Sequence, residues 1–314
     1  MTTEISSDSV EKIGQQLLDT TKPLNDRFRA LFTLRNLGGE MAIDFISRCF
    51  TDPSALLKHE LAYCLGQMQD VYAIPTLKKV LQDESQEAMV RHEAGEALGA
   101  IGSPESLEIL KQYSNDSVKE VAETCQLAVN RINWLLNDGK NQVLNNRVYL
   151  SVDPAPPDNE VNVDVMRNTL LNENLSLFER YRAMFSLRNT GGKDAVLALA
   201  EGLKCSSALF RHEVAYVLGQ MQHDACVQQL AVSLKDKSEN PMVRHECAEA
   251  LGSIATKECT DILQKYLTDE ERVVRESCVV ALDISEHEKS EHFQYADTLS
   301  KLTDKKQVNA DELP

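Results

Sequence analysis

Aromatic residues, glycine and proline are all scarce in this chain of 314: aromatics make up 5%, with 13 Gly and 9 Pro. So few rings and turn-formers argue against a β-rich fold, and the dominance of Ala, Leu, Glu, Gln and Lys predicts helices throughout. No run approaches the roughly 20 apolar residues that span a bilayer. The opening "MTTEISSDSV" has neither the basic start nor the apolar stretch of a secretory signal, so a cytoplasmic location is expected and no membrane partner. The closing "DELP" resembles an ER retention signal only superficially, since it ends in Pro314. The eight cysteines form no CxxC pair and fall mostly inside apolar helical patterns, which predicts reduced core thiols rather than zinc ligands or disulfides. A basic surplus is missing as well. The formal charge of −16 argues against a nucleic-acid surface and suits either solubility or a cationic partner.

What is present is repetition. "RFRALFTLRNLGG" at 27–39 returns as "RYRAMFSLRNTGG" at 180–192, and "VRHEAGEALGAI" at 90–101 as "VRHECAEALGSI" at 243–254, both at an offset of 153. The chain is a tandem duplication. Each half divides again, because a basic residue opens a helical pattern at Arg29, Lys58, Arg91 and Lys119, then at Arg182, Arg211, Arg244 and Arg275, in steps of about 28 to 33. Four repeats per half follow, separated by breaks such as "TDPS", "GSPES" and "SENP" that suit helix starts. Repeats of this length, each a helical hairpin, bury their apolar faces only by stacking, so the expected fold is an all-α solenoid. The core "VRHEAGEALGAIG" at 90–102 resembles HEAT-like repeats.

The expected organisation is an N-terminal half over 1–136, a linker over 137–165, a C-terminal half over 166–285 and a polar tail over 286–314. The linker breaks the helical period and carries Pro154, Pro156 and Pro157, which predicts an irregular, mobile connector. Fraying is expected beyond about residue 300.

The repeats supply their own control for one feature. Where the middle repeats have His59, His92, His212 and His245, the first repeat of each half has Ala30 and Ala183, and the last is read as Glu120 and Glu276. The next position gives Glu60, Glu93, Glu213 and Glu246, against Leu31, Met184, Val121 and Ser277. Packing in this frame therefore does not require His-Glu. The dipeptide at His287 and Glu288 lies outside the frame and receives no role.

Equivalent positions on stacked helices lie roughly 10 Å apart between axes, so each half can turn two imidazoles and a carboxylate into one space. That donor set suits a non-haem iron centre, and two sets facing across a pseudo-twofold suit a dinuclear one. A zinc-protease HExxH is absent, magnesium and calcium do not select four imidazoles, and manganese accepts the same donors.

Duplicated HEAT-like halves with four His-Glu pairs in their central repeats resemble the deoxyhypusine hydroxylase family, over about residues 24–284. The resemblance implies an iron-dependent monooxygenase with two Fe per chain and O2 as co-substrate. It would complete hypusine on a eukaryotic translation initiation factor, drawing on an unidentified electron donor. It also implies that His59, His92 and Glu93 bind one iron and His212, His245 and Glu246 the other, while Glu60 and Glu213 meet the substrate's amines. Spacing alone does not divide the glutamates in this way. The substrate loop is expected to dock between the halves, with the linker setting the gap. The rival readings are a non-catalytic HEAT-repeat protein-binding adaptor and a lyase of the phycobilin-attachment type, neither of which requires the paired frame.

Overall fold

The computed structural model describes residues 6–137, 149–290 and 294–301. Among these residues lie sixteen α-helices and no strand. The N-terminal half contains α1 (Ser7–Leu18), α2 (Leu24–Leu37), α3 (Glu40–Arg48), α4 (Ala55–Met68), α5 (Ile74–Gln82), α6 (Ala88–Ile101), α7 (Leu107–Tyr113) and α8 (Lys119–Asn137). The C-terminal half repeats the plan with α9 (Val163–Leu171), α10 (Leu177–Thr190), α11 (Gly192–Glu201), α12 (Ala208–Met221), α13 (Val227–Lys235), α14 (Pro241–Ile254), α15 (Lys257–Leu263) and α16 (Arg272–Glu288). Eight helices per half make four hairpins, as the repeat count predicts.

Short polar breaks start the inner helices. Ser54 and Ser207 cap α4 and α12 by accepting from Leu57 N and Phe210 N, and Asn240 caps α14 ahead of Pro241. The inner helices then stack in sequence, α4 on α6 on α8 and α12 on α14 on α16. Glycine sets the spacing of these contacts: a Cβ on Gly66 would lie 2.7 Å from Ala97 Cα, and one on Gly99 2.7 Å from Ala128 Cβ. Gly219 and Gly252 approach Ala250 and Ala281 in the same way.

These contacts correct one register read from the sequence. Since Gly99 meets Ala128 and Gly252 meets Ala281, the residue of α8 equivalent to Glu276 is Glu123, one helical turn past Glu120. Its neighbour Thr124, rather than Val121, matches Ser277. Two further pairings agree. Lys119 pairs with Glu123 as Arg272 pairs with Glu276, and Ser207 Oγ donates to Glu123 as Ser54 Oγ donates to Glu276, both at 2.6 Å. The slip arose because α8 offers a glutamate at two adjacent turns, Glu120 and Glu123, with its one basic residue there, Lys119, just before the first, and only packing decides between them.

Those two serine–glutamate bonds join the halves head to tail. At the outer junction Arg29 of α2 forks onto Asp283 of α16 at 2.8 and 3.0 Å and reaches Asp297 at 2.9 Å. The solenoid thus closes into a ring with a pseudo-twofold axis. The expected linker is not loose where it is described. Residues 149–158 form a strap: Val152 N and O both bond Gln67 of α4, and Asp153 takes a two-pronged ion pair from Arg188 of α10 at 2.6 and 2.9 Å. Buried polar groups find these partners because an irregular segment has none of its own. Residues 138–148 of that linker, and the expected fraying over 302–314, lie outside the described residues.

Candidate metal centre

On α4, His59, Tyr63 and Gln67 follow one another at intervals of four and so share one face; His212, Tyr216 and Gln220 do the same on α12. The two faces meet level by level. The His59 and His212 rings lie 5.7 Å apart, the Tyr63 and Tyr216 hydroxyls 2.9 Å apart, and Gln67 and Gln220 both bond the strap, at Val152 and Ser151. Hence α4 and α12 run in the same direction beside the pseudo-twofold, with their C-terminal ends under the strap. Their N-terminal ends are closed by the Ser54–Glu276, Ser207–Glu123 and Asn240–Glu120 bonds.

Between these levels is a cavity of about 410 Å³. His59, His212, Glu60, Glu93, Glu213 and Glu246 line it, and His92 and His245 stand behind with 0% exposure. All eight residues of the paired frame therefore converge. His59 lies 5.4 Å from His92 and 5.3 Å from His245 between ring centres, and His212 lies 5.4 Å from each. Nε2 of His59 is 3.3 Å from Oε2 of Glu93, and Nε2 of His212 is 3.3 Å from Oε2 of Glu246. Ligand atoms of His59, His92 and Glu93 gather within 4.8 Å of one another, as do those of His59, His212 and His245, and of His245, Glu246 and Glu249.

Not one of the eight ring nitrogens of these histidines has a hydrogen-bond partner, although all are buried. Buried nitrogens normally have partners, and an orphan costs about 1–3 kcal/mol. Protons are a poor remedy in so small a space. The carboxylates of Glu93, Glu60 and Glu246 outweigh the burial of His59 and push it up to about 9. Burial, then repulsion from His59, holds His92 and His245 well below 6.5 and takes His212 down to about 3. The twin ion pairs are equal in length, so His59 and His212 each face one carboxylate in the same geometry. A cation with several coordination sites satisfies more nitrogens than one proton does, and imidazole with carboxylate is the donor set of iron, manganese or zinc.

The carboxylates lean the same way. Burial, then Glu249, raises Glu60 to about 8, and burial raises Glu213, Glu246 and Glu96 well above 4.5. Seven carboxylates and, among the described residues, no lysine or arginine line the cavity. It is built for positive charge. The sequence reading overlooked Glu96 and Glu249, Tyr63 and Tyr216, and Gln67 and Gln220, all of which line the cavity. Each pair is related by the offset of 153, which was the available signal. The strap residues Val152, Asp153 and Pro154 also line it, and the positions related to them by the offset, 305–307, lie outside the described residues.

Among the described residues no helix is long and apolar enough to cross a membrane. All eight cysteines are buried and none forms a disulfide, as expected. The model of HEAT repeats matches residues 43–130 and 196–283, two spans separated by the same offset of 153, and that of the PBS lyase HEAT-like repeat matches 179–205. Human (Homo sapiens) deoxyhypusine hydroxylase is 65% identical over 298 residues, covering 95% of this chain and 98% of that one. The rat (Rattus norvegicus) protein of that name is 64% identical with the same coverage. The solved structure of human deoxyhypusine hydroxylase in complex with glycerol superposes with a TM-score of 0.87 at 66% identity, over 89% of this chain and 96% of that one. With a duplicated HEAT-repeat ring, a buried His-Glu cluster at its centre and relatives this similar over nearly the whole length, the chain belongs to the deoxyhypusine hydroxylase family.

Proposed function

We propose that this protein hydroxylates the deoxyhypusine side chain of a eukaryotic translation initiation factor, using O2, at two iron ions held between the halves. His59, His92 and Glu93 would hold one ion, and His212, His245 and Glu246 the other. The observation that carries the reading is the convergence on one acidic cavity of eight buried imidazole nitrogens, none hydrogen-bonded and three facing a carboxylate at 3.3 to 3.5 Å. Bound there, the two ions supply the oxidising power to insert one oxygen atom of O2 into an unactivated C–H bond. The other oxygen would leave as water, taking up two protons from solvent and two electrons from a separate donor.

The chain's own contribution is position and exclusion. Glu60 and Glu213 stand beside the proposed ligands and face the cavity, and one oxygen of Glu213 has no hydrogen-bond partner. A buried carboxyl raised by desolvation returns to its charged form when an ammonium group comes within bonding distance. The substrate's amines therefore fit these two residues. The Tyr63–Tyr216 bond and the strap restrict water on one side of the cavity, while the serine–glutamate bonds close its floor. The protein substrate and the cytoplasmic location belong to this same reading.

The test is iron content and the visible spectrum of the purified protein. About two irons per chain are expected. His59→Ala should lose metal and activity together, whereas Glu60→Ala should keep the metal and lose substrate affinity. A metal-free Glu60→Ala would overturn the division of the glutamates. Absence of iron from the wild type would return the protein to the adaptor reading, which has no use for the eight nitrogens.

A further inference from the structure

Two carboxylates of the cavity are not needed as ligands in this scheme: Glu96 and Glu249, three residues beyond Glu93 and Glu246 and related by the offset of 153. Roughly one helical turn, about 5 Å, places them nearer the C-terminal ends of α6 and α14 than the His-Glu layer. Deoxyhypusine carries two ammonium nitrogens separated by four methylenes, about 6 Å apart when extended. The carboxylates of Glu96 and Glu249 reach back toward the His-Glu layer, Glu249 to within 3.5 Å of Nδ1 of His245 and close enough to act on Glu60. Glu60 and Glu249 therefore offer two neighbouring seats for the two charges of one side chain.

The twins have different neighbours. Arg131 is among the charges acting on Glu96, and it is fixed by bonds to Asp153 O at 2.8 Å and Gly99 O at 2.5 Å. The position 153 residues on from Arg131 is Ile284, an apolar residue that lines the cavity together with Phe32. Glu249 thus has the Ser277 hydroxyl on Oε1 at 3.1 Å and, among the described residues, no guanidinium acting on it, where Glu96 has Arg131 and Asp153 of the strap. The same cavity holds a buried carboxylate oxygen without a hydrogen-bond partner, Oε1 of Glu213, whose residue is 3% exposed.

We infer that Glu249, and not its twin Glu96, holds the second ammonium of the substrate side chain, while Phe32 and Ile284 pack against its methylenes. Arg131 and the strap on the Glu96 side, against Ile284 and the Ser277 hydroxyl in the other half, make the two twins unlike. This assignment rests on the hydroxylase reading, and its test separates the two.

On the iron-loaded full chain, calorimetry with butane-1,4-diamine and with n-butylamine reads the second ammonium seat whether or not the protein turns over. The wild type should bind the diamine about tenfold or more tightly than the monoamine. Glu249→Gln should abolish that preference and raise KM for the deoxyhypusine-bearing factor about tenfold with iron content unchanged, while Glu96→Gln should change neither by more than about threefold. Ile284→Arg, which puts a guanidinium at the position equivalent to Arg131, should reproduce the loss with the carboxylate intact. Equal effects of Glu96→Gln and Glu249→Gln would overturn the inference, since a general acidic field would then suffice. So would loss of iron from Glu249→Gln, because its carboxylate lies 3.5 Å from Nδ1 of His245 and a role in holding that ligand would show there. Diamine selectivity that depends on Glu249 in a protein without turnover would sink the hydroxylase reading and leave the seat.

Discussion

Arg27, Arg91, Arg180 and Arg244 occupy one repeat position, and each sends Nε to the carbonyl ten residues earlier, at 2.8 to 3.0 Å. Three of them also pair at 2.6 Å with the aspartate 25 residues later: Asp52, Asp116 and Asp269. At the fourth, Cys205 stands where that aspartate should be, and Nη2 of Arg180 is left without a hydrogen-bond partner. Cys205→Asp should therefore stabilise the chain by about 1 kcal/mol or more, read as a higher urea midpoint; a lower midpoint would mean that burial of the new carboxylate outweighs the pairing. The sequence pattern sets Arg29 and Arg182 at this position, but the shared bonds show that Arg27 and Arg180 hold it. The counterparts of the histidines are therefore Phe28 and Tyr181 rather than Ala30 and Ala183, and those of the glutamates are Arg29 and Arg182 rather than Leu31 and Met184. The orphaned nitrogen was not legible either. Hydrogen-bond satisfaction depends on which atoms meet in space.

The same pairs predict how the protein responds to acid. Arg244, through its hydrogen bond, holds Asp269 below the ordinary 3.8, and at Asp116 the bond from Arg91 overcomes burial to the same effect. A carboxyl depressed in the folded state contributes stability that is complete above its unfolded value and is lost as pH falls through the folded one. Thermal stability from these pairs should stay level from pH 7 to about 5 and decline below about 4. Asp269→Asn should flatten that decline. An equally steep acid limb in the variant would show that other groups set it.

At the scale of elements, helix spacing is fixed by what glycine omits. Gly99→Ala would place a methyl 2.7 Å from Ala128 Cβ and 3.0 Å from its Cα, contacts that only movement of α6 against α8 relieves. Because α6 also carries His92 and Glu93, the variant should lose about 1–3 kcal/mol of stability and bind iron more weakly. Unfolding and metal analysis of one preparation check both. Unchanged iron affinity would uncouple the packing from the site. The helices themselves were legible, since period, capping serines and glycines lie within a few residues of one another. The slip from Glu123 to Glu120 shows the limit, because a helix whose two adjacent turns carry similar residues has its register set by its neighbour.

At the scale of the whole molecule, the proposed ligands come from four helices in two halves, so bound ions would cross-link the ring at its centre. A chelator should lower the melting temperature by about 5 °C or more, and restored iron should raise it again. An identical melting curve with and without metal would show that the ring holds together through its junctions alone. The strap and the clasp at Arg29 are the natural candidates for that role, since each joins segments far apart in the chain.

The sequence by itself determined the duplication, the four hairpins in each half, the all-α class and the His-Glu frame that sets the middle repeats apart. Those properties are periodic, and periodicity is local information repeated. Only the tertiary structure decided that the solenoid closes into a ring, that α4 and α12 run side by side in the same direction, and that all eight imidazole nitrogens lack hydrogen-bond partners. It alone made Glu96 and Glu249 unequal, by setting Arg131 and the strap beside the one and the Ser277 hydroxyl on the other. Closure depends on contacts between residues 84 to 268 positions apart, such as Ser207 with Glu123 and Arg29 with Asp297. No window on the sequence contains both partners.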